Sequence, residues 1–312
     1  MSAAPIVIAH RGASGYLPEH TLEAKALAFG LGADYLEQDV VATRDSRLVV
    51  VHDLHLDDVT DVAIRFPGRQ RADGRHYAID FDLAELQQLT VSERRRPDSP
   101  LARFPERFPA DAALFRVATL EQELALIAGL NKSMRRTVGI YPEIKHPRWH
   151  HEHGIDLARL VLDALAAHGY GGAESPAFVQ CFDAAELRRV REELGCRLQL
   201  VQLVGEEAEY APLLTPEGLA RVARYADALG PSYKQLVAEQ CFPLRRSSLA
   251  ERAKRAGLKL HPYTFRRDDL PAYAADFEEL LRAFFADVGV DGLFCDQPDI
   301  AVRVRDRVAR GA

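Results

Sequence analysis

No stretch of the 312-residue chain approaches the roughly 18 apolar residues of a membrane helix, so stable insertion into a bilayer is not expected. Positive charge is not in excess. With 40 Lys and Arg against 46 Asp and Glu, the formal charge of −6 gives no field for tracking nucleic acid, and no nucleic-acid partner is expected. The same deficit means that an anionic substrate must be met by positive charge gathered locally. Cysteine is scarce: Cys181, Cys196, Cys241 and Cys295 show no CxxC spacing and read as free thiols, in keeping with a reducing compartment. No GxGxxG follows the first apolar run, which weighs against a doubly wound nucleotide-binding sheet. Internal repeats and low-complexity tracts are missing too. Residues 1–5 lead almost directly into the first apolar run and carry no secretory leader. The expected address is therefore cytoplasmic, a periplasmic one requiring a leader already removed.

What is present is an alternation of strand and helix signals. Extended runs read at 6–10, 34–41, 48–52, 138–145, 177–182, 197–204, 227–231, 259–265 and 292–296. Helical patterns read at 21–31, 119–131, 154–168, 183–194, 216–226, 246–257, 276–289 and 298–309, with Thr21 placed to cap the first. This is close to eight βα units in a length typical of an α/β (β/α)8 TIM barrel. Residues 53–117, rich in Arg, Asp and Pro, break the alternation, and a structureless loop of that length is unexpected inside a compact domain. They are read as a cap subdomain inserted between the second strand region and its helix, within one domain spanning 1–312.

Barrel chemistry sits at the C-terminal ends of the strands. There the first strand of "IVIAHRGASGYLPEHT" ends in His10-Arg11, and the run "LVVVH" ends in His52. Glu37 and Asp39 are spaced i, i+2 and leave the same strand face, as do Glu143 and Lys145. Gln180, Phe182, His261 and Asp296 stand at later strand ends. Three carboxylates aimed into one cavity repel one another unless a cation sits among them. Glu37, Asp39 and Glu143 are hard oxygen ligands suited to Mg2+ or Ca2+.

The stretches "HRGASGYLPEHT", "ADYLEQDVV", "LVVVHD" and "YPEIK" resemble those of the glycerophosphodiester phosphodiesterases, in particular the bacterial periplasmic type. "VTDVAIRFPGRQRADGRHYAIDF", "QCFDAAELRRV", "HPYTFRRDDLPAY" and "GVDGLFCDQPDIAV" extend the resemblance over nearly the whole chain. It implies a TIM barrel with an inserted cap and one divalent cation, Ca2+ or Mg2+. It implies hydrolysis of small-molecule glycerophosphodiesters, the deacylated phospholipids, to glycerol 3-phosphate and an alcohol. By position, Glu37, Asp39 and Glu143 match the metal ligands, and His10 and His52 the paired acid/base histidines. Arg11 matches the phosphate-contacting arginine and Lys145 the lysine of the Glu-x-Lys strand. One departure is "PEHT", where much of the wider family has "PENT".

These residues support metal-assisted attack at phosphorus, with Arg11 and Lys145 on phosphate oxygens and the histidines moving protons, His10 as base and His52 as acid. Gln180, Phe182 and Trp149 are candidates for substrate contact; Tyr263 and Phe265 are further candidates for the glycerol pocket. Arg94, Arg95 and Arg96 read as a solvated basic face, and Gly12 and Gly15 as small residues beside the phosphate. A related barrel phospholipase, cleaving phosphatidylinositol or sphingomyelin, is the alternative. It would use a similar pair of histidines but benefit from an apolar or basic lip, of which the sequence shows little.

Overall fold

The computed structural model describes residues 4–311 except positions 98, 113 and 240. Among the described residues, eight parallel strands run in chain order round a nearly closed barrel. They are β1 (Ile6–Ala9), β2 (Tyr35–Ala42), β3 (Gly139–Ile144), β4 (Phe178–Cys181), β5 (Gln199–Val204), β6 (Ala228–Pro231), β7 (Lys259–Leu260) and β8 (Gly292–Cys295). β8 returns to pair with β1, Ile6 opposite Gly292 through Ala9 opposite Cys295. The strand expected over 259–265 breaks after Leu260, where Pro262 has no N–H to offer a ladder. The seam beside β8 is resumed by Phe265, whose N–H donates to the Phe294 carbonyl at 2.9 Å.

Eight helices follow the strands in turn: α1 (Leu22–Gly30), α2 (Leu120–Met134), α3 (Leu157–Ala167), α4 (Ala184–Glu192), α5 (Pro216–Val222), α6 (Ser248–Arg255), α7 (Phe277–Ala283) and α8 (Pro298–Ala309). Thr21 caps α1 by accepting from the Ala24 N–H at 3.1 Å, and Thr119 caps α2 through the Gln122 N–H at 3.1 Å. These hydroxyls satisfy donors that the first helical turn leaves without a partner. None of the described helices is long and apolar enough to cross a membrane. All four cysteines are free.

Two apolar layers follow from strand alternation. Outward residues such as Val7, Leu36, Val40 and Ile140 pack under helix residues Leu124, Val161 and Leu187. Inward residues Ile8, Tyr141, Phe178, Val201 and Phe294 plug the barrel interior. Leu48–Val50 is not a barrel strand; it folds back antiparallel on the far end of β2, Val40 opposite Val50. The chain beyond it gathers on a second apolar cluster that includes Leu56, Phe81, Leu86, Leu89 and Phe115.

Candidate active site

Strand parity carries the polar residues to the barrel mouth. Glu37 and Asp39 follow Tyr35, Glu143 follows Tyr141, and Gln180 follows Phe178 at two-residue steps, so all sit on the inward face above the apolar plug. They line a cavity of ≈400 Å³ together with His10, Arg11, His52, Lys145 and Phe182. Tyr263 and Arg266 complete part of its wall.

Oxygens of Glu37, Asp39 and Glu143 lie within 4.8 Å of one another, and all three residues are buried. Burial and the Asp39 charge push Glu37 well above the usual carboxylate range. Burial, with Asp39 adding to it, raises Glu143 to about 7. Asp39 goes the other way: against its burial, Lys145 and His20 hold it low. The Lys145 ammonium stands 2.8 Å from Glu143 Oε1 and 3.7 Å from Asp39 Oδ1. Gln180 Nε2 donates to Glu37 Oε1 at 2.9 Å, and the Arg11 backbone N–H to Glu37 Oε2 at 2.8 Å. Asp39 Oδ1 is buried without a hydrogen-bond partner. An orphaned carboxylate oxygen among hard oxygen donors fits a divalent cation.

Each histidine is backed by an aspartate. His10 Nδ1 lies 2.6 Å from Asp296 Oδ1, and His52 Nδ1 lies 2.7 Å from Asp53 Oδ1. With Nδ1–H donated to carboxylate, each ring turns Nε2 away as its acceptor, and the carboxylate favours the imidazolium once formed. Burial, then Arg11, lowers His10 to about 4; burial, then Arg11 and Lys145, lowers His52 to about 3. Both rings are thus neutral at neutral pH.

A chain of ion pairs joins the two halves of the mouth. The Arg11 guanidinium meets Glu19 at 3.0 Å, Glu19 takes Arg94 at 2.6 Å, and Arg94 takes Asp53 at 2.7 Å. Arg94 is therefore not on a solvated face: it is buried because Glu19 and Asp53, both distant from it in sequence, enclose it. No local pattern announces pairs 75 and 41 positions apart.

Packing shows where the remaining candidates sit. Trp149 lies outside the cavity lining; its indole stacks on Tyr77 at 5.7 Å under the Arg71 guanidinium. Phe265 is fully buried in the outer core, and His261 sits against the Tyr141 hydroxyl at 2.7 Å in the barrel interior. Gly12 is required by the barrel itself: its φ is +86°, and a Cβ there would meet the Ala24 backbone carbon at 2.9 Å. A Cβ at Gly15 would strike the Gln297 side chain at 2.2 Å. His20, the histidine of "PEHT", has no role that the sequence pattern assigns; the fold places its Nε2 2.7 Å from Asp39 Oδ2.

The model of the Glycerophosphoryl diester phosphodiesterase family matches residues 10–300. The chain belongs to that family. Its members are phosphodiester hydrolases, and this chain is an enzyme of that kind. It is 43% identical to the glycerophosphodiester phosphodiesterase of Haemophilus influenzae, over 97% of this chain and 90% of that one. It is 36% identical to the Treponema pallidum enzyme, over 98% and 93%. A glycerophosphoryl diester phosphodiesterase structure from Silicibacter pomeroyi superimposes with a TM-score of 0.74 at 24% identity, covering 99% of this chain and 95% of that one. An Oleispira antarctica phosphodiesterase, solved with the product sn-glycerol-3-phosphate, has a TM-score of 0.67 at 20% identity and covers 97% of each chain.

Proposed function

We propose that the cavity hydrolyses glycerophosphodiesters to glycerol 3-phosphate and an alcohol, with one divalent cation held by Glu37, Asp39 and Glu143. The observation that carries this reading is the convergence of two aspartate-backed histidines and three carboxylates on one cavity. A bound Ca2+ or Mg2+ would supply Lewis-acid polarisation of the phosphoryl group. Arg11 forks onto one phosphate oxygen and Lys145 offers a point charge to another, so a net-acidic protein still meets its anionic substrate with fixed positive charge. As charge builds at phosphorus, these pre-set cations stabilise it more than they stabilise the ground state.

His10 Nε2 takes the proton of the nucleophile, and Asp296 stabilises the resulting imidazolium. His52 delivers a proton to the leaving alkoxide. The phosphate anion offsets the charges of Arg11 and Lys145, which with burial keep His52 neutral, and so favours its protonated form. Phe182 and Tyr263 give the carbon side of the substrate an apolar wall. Residues 53–117 serve as the cap, anchored to the mouth by Arg94 and Arg107. The complex of the Oleispira protein with sn-glycerol-3-phosphate supports a small glycerol phosphate as product.

The test uses leaving groups. His52→Ala should lose about 10²-fold or more in turnover on glycerophosphocholine and regain much of it on an aryl diester, whose leaving group needs no proton. His10→Ala should lose turnover on both substrates. Equal losses of His52→Ala on the two substrates would remove it as the acid. Activity that survives thorough chelation would remove the cation.

A further inference from the structure

Behind the site, Lys25 fills a gap in the sheet. β1 pairs with β2 over just two residues, Ile8 with Tyr35 and Ala9 with Leu36, before the chain turns off at Arg11 and Gly12. The Asp39 carbonyl accepts from the Val51 N–H at 2.9 Å, but the Glu37 carbonyl accepts from the Lys25 ammonium instead. The ammonium of this α1 residue is also 2.9 Å from Glu123 Oε2 on α2 and 3.3 Å from His20 Nδ1. The side chains of Lys25 and Glu123 are fully buried. Neither they nor His20 line the cavity.

The hydrogen-bond polarity of this cluster is determined by its chemistry. An ammonium has no lone pair, so His20 Nδ1 must accept from it and the ring proton must sit on Nε2. Nε2–H then donates to Asp39 Oδ2. One oxygen of Asp39 is thereby committed, while Oδ1 stays without a partner beside Glu143 and Lys145. Burying an ion pair this deeply is expensive, and well-packed apolar residues of similar volume are often as stable or more so. The pair is therefore poorly explained by stability alone.

The geometry points to Lys25, His20 and Glu123 as positioning residues for cation binding: Lys25 grips the β2 backbone at Glu37 and sets the His20 tautomer that orients Asp39. This rests on the assignment of Glu37, Asp39 and Glu143 as the cation site. Its test is calorimetric titration of Ca2+ and Mg2+ into the substrate-free protein, alongside thermal melting without cation.

The double variant Lys25→Met with Glu123→Leu should melt near the parent yet bind the cation about 10-fold or more weakly, the usual effect of removing such support. His20→Leu should weaken binding similarly, and His20→Asn, which keeps an N–H for Asp39, should recover most of it. Should the double variant not fold, the His20 pair decides alone. Parent-like dissociation constants in the folded double variant or in His20→Leu, or no recovery in His20→Asn, would overturn the positioning role. A parent protein that takes up no cation would instead overturn the site assignment beneath it.

Discussion

Asp296 holds His10 with one oxygen and two arginines with the other: Oδ1 lies 2.6 Å from the ring nitrogen, while Oδ2 takes Arg107 at 2.7 Å and Arg266 at 3.0 Å. Against the cost of burial, Arg266 and His10 keep this carboxyl ionised far below its ordinary range. The proton-accepting capacity of His10 thus depends on a group that does not itself enter the cavity lining. Asp296→Asn keeps the shape and removes the charge. Turnover should fall about 10²-fold or more while KM changes little, because the imidazolium loses its counter-charge in the transition state alone. An unchanged kcat would remove Asp296 from the reaction.

Arg94 connects Glu19 and Asp53 across the mouth, and its loss leaves both short of a cation in a largely buried place. Arg94→Ala should destabilise the protein by about 3 kcal/mol or more. Limited proteolysis should then cut first within residues 53–117. Arg94→Lys should restore only part, since a lysine cannot fork onto two carboxylates. Parent-like melting and cleavage in Arg94→Ala would show that the ion-pair chain does not hold this segment.

Glu93 gives a stability effect with a definite sign. It is buried, one oxygen has no partner, and burial raises its carboxyl to about 8. The folded chain retains a proton that the unfolded chain releases near pH ~4.5. The contribution is complete below that pH and is lost as pH rises through about 8. Glu93→Gln should therefore melt near the parent at pH 5 and progressively above it towards pH 9. Up to about pH 8 the gap widens by roughly 1.4 kcal/mol for each tenfold fall in proton concentration, and above that it levels off. Melting curves that stay parallel across that range would contradict it.

The βα alternation was legible because hydrophobic period and capping residues such as Thr21 and Thr119 are local. So was the convergence of Glu37, Asp39, Glu143 and Lys145, since same-face spacing is a property of any strand. The partners that tune these groups were not legible. Glu19 with Arg94, and Asp296 with Arg107, meet only after the segment between β2 and α2 has folded over the barrel. A second demand on Gly12 was hidden for a similar reason: the residue that forbids a side chain there is Ala24 of α1, which no motif names. The place of Trp149 was not legible either: its neighbours in sequence adjoin the site, whereas its ring reaches sideways to Tyr77.

That sideways reach has a practical side. Trp149 is the single tryptophan of the chain, and it is stacked on a residue of the 53–117 segment beneath Arg71 of the same segment. The protein thus carries its own optical probe: intrinsic emission reports whether that segment is seated on the barrel, before and after substrate arrives, with no label attached.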